Sequence, residues 1–233
     1  MTGKKINKKK RQIIKILAYI TLFLILLLIL LIFINILLRN EILLTSYQKD
    51  SLKNIFPQNH IESVRFYEGG LLSIGSTKTI CKSIYILPNE KGKHIINNPE
   101  SEEAILLIVH EVTHTFQGKR IDSCIKMSLS SLYAQFRAFL KYGSRNYAYY
   151  YPLNLSFDIF NRKYFYNPEQ EASIIEDYYY LKFLDGNLSN TNCYDCSKNS
   201  SGDISCFSCD NYSKKYVLDN LENISLDILD KYK

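Results

Sequence analysis

Apolar residues fill the stretch from Ile16 to Leu38, 23 residues without a charge and mostly Leu or Ile. A helix rising about 1.5 Å per residue would reach about 35 Å over that length, enough to cross a bilayer. No small-residue cleavage site follows it. The pattern therefore predicts an uncleaved transmembrane signal anchor over 16–38, behind a basic tail over 1–15. Residues 39–61 are mixed and polar and read as a stalk.

Alternating and helical patterns then take turns. Glu62–Glu68 alternates weakly and Thr77–Leu87 more clearly, with Gly69, Gly70 and Gly75 between them, which predicts two or three short strands. A central helix of about 19 residues is expected next: Asn98 can cap it, Pro99 suits its first turn, and Gly118 can close it. Glu100, Glu102 and Glu103 favour the positive end of that helix. Over 123–142, Ile125, Leu129, Leu132, Tyr133, Phe136 and Leu140 recur at helical spacing and read as a core stripe against the central helix. Pro168 to Leu184 reads as a third helix, ended by Gly186. From Asp185 onward Asn, Ser, Asp and Gly dominate, so 186–233 reads as a cysteine-containing appendage whose final segment, Tyr216–Leu229, has the pattern of an amphipathic helix docking back. The folded unit is expected over 62–185 and of α+β class, mainly helical with a small β-sheet, preceded by one transmembrane helix.

Charge changes the picture only at the N-terminus. The formal net charge is +6, but seven of the 29 basic residues lie before position 39 with no acid among them, leaving 22 basic against 23 acidic residues. The remainder is close to neutral, which removes the main support for a nucleic-acid partner. Lysines before the span, against Arg39 and Glu41 after it, place the N-terminus in the cytoplasm and the rest outside, as a single-pass membrane protein. Six cysteines, all beyond the span, fit an oxidising compartment. Cys193, Cys196, Cys206 and Cys209 are expected to form two disulfides in the tail with connectivity open, and Cys81 and Cys124 to staple a strand to the second helix. No feature sets an oligomeric state.

The chemistry lies in His110-Glu111-Val112-Thr113-His114. On a helix the two imidazoles four residues apart converge on one point with Glu111 beside it, which is half of a zinc site and its base. With 4 His in the chain, chance placement gives this pattern in roughly three sequences per thousand, so the motif carries weight. Catalytic zinc takes three protein ligands, and no histidine follows the motif. His60 and His94 read as surface residues. Pro168-Glu169-Gln170-Glu171-Ala172-Ser173 offers two carboxylates as candidate third ligand, Glu169 and Glu171. Glu176 and Asp177 are candidates for orienting a histidine, although a solvated charged face is the commoner use of such residues. An oxyanion donor is also needed. Among 19 tyrosines, Tyr147, Tyr149, Tyr150, Tyr151 and Tyr178–Tyr180 are placed to serve, and none stands out.

His-Glu-Val-Thr-His-Thr-Phe-Gln, followed about fifty residues later by Pro-Glu-Gln-Glu-Ala, resembles zinc metallopeptidases of the gluzincin type. It is most similar to the metallopeptidase domain of the extracellular contractile injection system core family, whose pattern is His-Glu-x-Thr-His-x-x-Gln with a later Glu-x-x-Ala helix. The resemblance covers about 62–185 and implies a zincin-like fold, Zn2+ as cofactor, His110, His114 and Glu169 as ligands, and a protein or peptide substrate. Ser173 departs from it, standing where those families carry the Asp that partners a zinc histidine. The function implied is a membrane-anchored zinc endopeptidase in which Glu111 takes a proton from the attacking water and returns it to the leaving amine. The alternative is a non-catalytic, metal-binding anchored domain used for interaction or assembly.

Overall fold

A computed structural model describes residues 2–74, 76–87, 98–120, 124–153, 166–198 and 204–230. Helix α1 (Thr2–Leu38) carries the apolar stretch, and its Ile14–Leu38 portion is long and apolar enough to cross a membrane while almost none of it is covered by the rest of the chain. Asn35, a polar residue, is the covered exception. It is buried, and its Oδ1 accepts from the Leu72 N–H at 2.9 Å, fastening the end of α1 to the folded unit. Gly70 makes that contact possible: it has φ of +75°, and a Cβ there would meet Asn35 Oδ1 at 2.7 Å.

Strand β1 (Arg39–Ile42) follows α1 at once and pairs antiparallel with β2 (Arg65–Gly69). β2 runs parallel to β4 (Ser83–Ile86), which pairs antiparallel with β3 (Lys78–Ile80). The order β1-β2-β4-β3 leaves β3 at an edge. Between β1 and β2 lie α2 (Ser46–Lys53), opened by a Thr45–Gln48 capping box, and the short α3 (Gln58–Ile61). Residues 39–61 are therefore not a stalk. Leu44, Leu52, Phe56 and Ile61 join the main core, the last three hidden among polar neighbours that masked their common face in the sequence.

Helix α4 (Glu102–Arg120) crosses the centre, with Ala104, Ile105, Ile108, Val109 and Val112 buried. It starts later than the sequence suggests: Ser101 Oγ accepts from the Ala104 N–H at 3.2 Å, and Asn98 and Pro99 lie ahead of the first turn. Gly118 sits inside its last turn. α5 (Cys124–Tyr142) is tied to the β3 hairpin by the Cys81–Cys124 disulfide and by Ser128 Oγ donating to the Thr79 carbonyl at 3.2 Å. Its periodicity is as expected and its orientation is the reverse. Ile125, Leu129, Leu132, Tyr133, Phe136 and Leu140 all face outward, from 56% to 67% exposed, while Met127 and Ala138 are buried and Ser128, Ser131 and Gln135 turn toward the interior.

After β5 (Tyr151–Pro152) comes α6 (Pro168–Phe183), whose start is fixed by Asn167. Its Oδ1 accepts from the Glu169 and Gln170 N–H groups, Gln170 returns the bond to the Asn167 N–H, and Pro168 occupies the first turn. β6 (Cys193–Lys198) pairs parallel with β5 and antiparallel with β7 (Ile204–Ser208), and α7 (Lys214–Asp230) closes the described chain. The tail is thus part of the main unit, not an appendage. Val217, Leu221 and Ile228 of α7, with Cys193 and Cys209, belong to the same core as α4 and α6. Cys193 bonds Cys209, and Cys196 stands opposite Cys206 in the β6–β7 ladder.

His60 is not a surface residue: it is 1% exposed, with Nε2 at 2.8 Å from Thr115 Oγ1 and its ring edge-on to Phe116 at 4.6 Å. His94 lies outside the described residues. Burial, with Lys119 and Lys82 nearby, lowers the His60 pKa to about 4. The unfolded chain, with an ordinary value of about 6.5, therefore takes up this proton first, and stability declines as pH falls from about 6.5 toward 4. Between pH 6.5 and 5 one such proton changes stability by up to about 2 kcal/mol. Urea denaturation at those two pH values should show a smaller difference for His60→Gln than for the wild type; equal differences would mean that His60 is not the group responsible.

Candidate metal centre

Three elements bring the site together. α4 supplies His110, Glu111 and His114, α6 supplies Glu169 from its capped first turn, and α5 lies across the carboxylate of Glu169. Glu169 is 1% exposed. Its Oε1 accepts from Gln135 Nε2 at 2.8 Å and from Ser131 Oγ. Its Oε2 makes no hydrogen bond and points at both histidines, 3.5 Å from His110 Nε2 and 3.3 Å from His114 Nε2. These three side chains form a buried group, its donor atoms all within 4.8 Å of one another, that is able to hold a metal ion.

Hydrogen bonds on the far side of each ring prepare the near side. Gln117 Nε2 donates to the Pro168 carbonyl at 2.9 Å and to Glu171 Oε2 at 3.2 Å, so its amide oxygen is the end that faces His114 Nδ1, at 2.8 Å. An amide oxygen only accepts, so Nδ1 carries the proton and Nε2 offers a lone pair to the centre. Glu176 Oε2 does the same for His110 Nδ1 at 2.8 Å. With both tautomers set, two imidazole nitrogens and one unsatisfied carboxylate oxygen converge, which is the donor set of a three-ligand metal site. The residues present fit a metal.

Electrostatics agrees. Burial alone would discharge these rings, yet Glu169 and Glu176 carry the His110 imidazole well above its ordinary pKa, and Glu169 raises that of His114. Glu169 also resists its burial, since the two histidines hold its carboxyl well below the usual range. Such a cluster calls for one positive centre among the three groups, a role open to a proton or to a cation.

Glu171, the alternative ligand, stands outside the group and instead accepts from Gln117. Ser173 is buried with no hydrogen bond to its hydroxyl, and Glu176, two helical turns after Glu169, takes the partner role expected four residues past the ligand. Asp177 is turned away: Tyr151 Oη and the Asn192 N–H donate to its Oδ2 at 2.8 and 2.7 Å, and burial, with Glu176 beside it, raises its pKa to about 8. Of the tyrosines considered, Tyr149 alone lines the cleft among the described residues. Burial, with Glu169 and Glu111 close by, raises its phenol far above the ordinary value and keeps it a donor. The cleft, about 270 Å³, runs between β3 and α5 past Glu111, His114, Tyr149 and Glu169. On its wall Glu111 Oε2 accepts from Thr79 Oγ1 at 2.6 Å.

The sequence assigns no role to Thr79, Gln117, Ser131 or Gln135 and only a weak one to Glu176. Signals existed for two of them, Gln117 three residues past His114 and Glu176 seven past Glu169 on the same helical face. The others depend on tertiary placement. In comparisons with known proteins, no family model, no curated protein and no solved structure matches this chain. The motif geometry therefore carries the argument by itself.

Competition against a chromophoric chelator measures metal affinity directly. Glu169→Gln should abolish stoichiometric binding, while Glu171→Gln retains it. Glu176→Gln should weaken affinity by roughly 10–100-fold, the usual effect of removing the partner of a ligating histidine. If Glu171→Gln loses the metal and Glu169→Gln keeps it, the assignment is wrong.

Proposed function

We propose that this protein is a membrane-anchored, zinc-dependent metallopeptidase that hydrolyses peptide bonds with Glu111 as its general base. One observation carries the reading: an unsatisfied Glu169 oxygen faces two Nε2 atoms beside a cleft whose wall holds a second, separately oriented carboxylate. Two imidazoles and one carboxylate suit zinc. When bound, the ion supplies Lewis-acid activation of water and of a substrate carbonyl.

The chain's own residues do the rest. Thr79 fixes one oxygen of Glu111, and that carboxylate accepts the proton of the attacking water and delivers it to the leaving amine. Tyr149, kept protonated, donates to the oxygen that gains charge. A substrate in extended form lies along Ser76, Thr77 and Lys78, which lead into edge strand β3 and line the cleft. α1 remains as the anchor, its lysine-rich start in the cytoplasm, and the folded unit stands in an extracytoplasmic, oxidising space suited to the Cys81–Cys124 and Cys193–Cys209 disulfides. A domain that only held metal would have no use for Glu111, which makes the non-catalytic alternative the weaker one.

Digestion of a peptide library by the full chain in detergent, with metal content measured in parallel, tests the proposal. Glu111→Gln should keep its zinc and lose cleavage. Tyr149→Phe should keep zinc and lower kcat by roughly 10²-fold or more, as for loss of one oxyanion donor. Equal cleavage by wild type and Glu111→Gln, or zinc binding with no cleavage by either, overturns the enzyme reading.

A further inference from the structure

α5 presents a second surface, of which the cleft uses only the edge at Leu129 and Leu132. Its inner side is committed to the cleft and to Glu169, whereas its outer side is a continuous apolar strip running the length of the helix, from Ile125 to Leu140 and including Phe136 and Phe139. Contiguous exposed apolar surface of this kind marks a place where something else binds. The only charged residues of α5 are Lys126, Arg137 and Lys141, so a helix in a near-neutral unit is purely basic. Apolar and aromatic residues on one face with basic residues and no acid is the composition of a helix lying in the surface of an anionic bilayer.

The position of α5 relative to α1 supports the same occupant. The end of α1 is held to Leu72 by Asn35, and two residues on, Ile74 is 65% exposed. From there the chain runs through Ser76 and Thr77 into β3, whose hairpin is bonded to the first residue of α5 by Cys81–Cys124. About ten residues therefore connect the point where the span ends with the point where the apolar strip begins. Leu129 and Leu132 belong both to that strip and to the cleft lining.

We propose that the outer face of α5 seats in the headgroup region of the bilayer that holds α1, so that the cleft opens at the membrane surface. The inference rests on the anchor reading above. A cleft so placed receives polypeptide segments held close to the bilayer, the stretches flanking the membrane spans or lipid anchors of other proteins, in preference to freely diffusing peptides.

Because the chain contains no tryptophan, single substitutions give unique fluorophores. The full chain, carrying either Phe136→Trp on α5 or Phe33→Trp in α1, is reconstituted into vesicles of phosphatidylglycerol and phosphatidylcholine, with or without brominated acyl chains. Both reporters should be quenched by the brominated lipid, Phe136→Trp by about two-fold, as for a face seated about 5–10 Å into the headgroup boundary. Its quenching should shrink when phosphatidylglycerol is omitted, and that of Phe33→Trp should not. Quenching at Phe33→Trp without quenching at Phe136→Trp overturns this inference and leaves the anchor standing. If Phe136→Trp is also shielded from iodide in that case, a second copy of the chain covers the face instead. Absence of quenching at Phe33→Trp removes the anchor reading itself, and this inference with it.

Discussion

The carboxylate of Glu169 is the interaction on which the arrangement depends. It is almost fully buried, and its two oxygens are treated differently: Oε1 is held by Ser131 and Gln135 of α5, and Oε2 faces His110 and His114 of α4 without a hydrogen bond. An isolated buried carboxylate is too costly to persist ionised. Its neighbours therefore have to compensate, and they come from the other two helices around the site. That requirement explains why α6 begins with so firm a cap, since Asn167 fixes the first turn and thereby the point from which Glu169 projects.

Stability and the capacity to hold a metal meet at the same oxygen. Hydrogen bonds donated by the Nδ1–H groups to Glu176 and Gln117 turn both Nε2 atoms inward, where they face Glu169 and are open to a cation or a proton. A core built only for stability would fill such a position with apolar side chains, which cost less to bury. The polar shell is layered: Gln117 holds His114, and the Pro168 carbonyl and Glu171 hold Gln117. Each layer lowers the freedom of the one inside it, so the geometry does not wait on a ligand to form.

How much of this was legible in the sequence follows from the range of each signal. His110, Glu111 and His114 are local, four residues apart on one helix, and the apolar span and the Asn167-Pro168 helix start are local too. Glu169 could be proposed because its helix start is plain, but choosing it over Glu171 needed the rotation of α6 about its own axis, which the structure supplies through Gln117. Glu176 is weak in the sequence because a solvated charged face is the commoner use of such a residue; in the fold Ser173 occupies the place four past the ligand and the next turn provides the carboxylate. The segments assigned to stalk and appendage were misplaced for one reason. Their core residues, Leu52, Phe56, Val217 and Leu221 among them, sit in strongly polar surroundings, where a composition shift looks like a boundary although one face is buried.

α5 shows a different limit. The spacing of its apolar residues gave the helix correctly, but a helical stripe does not state which side it faces, and the default places it inward. Here the inner side is already claimed, since Ser128 must reach the Thr79 carbonyl and Ser131 and Gln135 must reach Glu169. Turning the helix to bury its apolar stripe would withdraw both donors from Glu169 Oε1 and leave that oxygen unsatisfied in the interior, at about 1–3 kcal/mol or more for a charged group. The site therefore fixes the rotation of α5, and the apolar face points outward as a consequence. A face exposed for that reason is open to an occupant beyond the fold of one chain, and the proposed anchor in α1, which leads straight into the sheet, would bring a bilayer within reach.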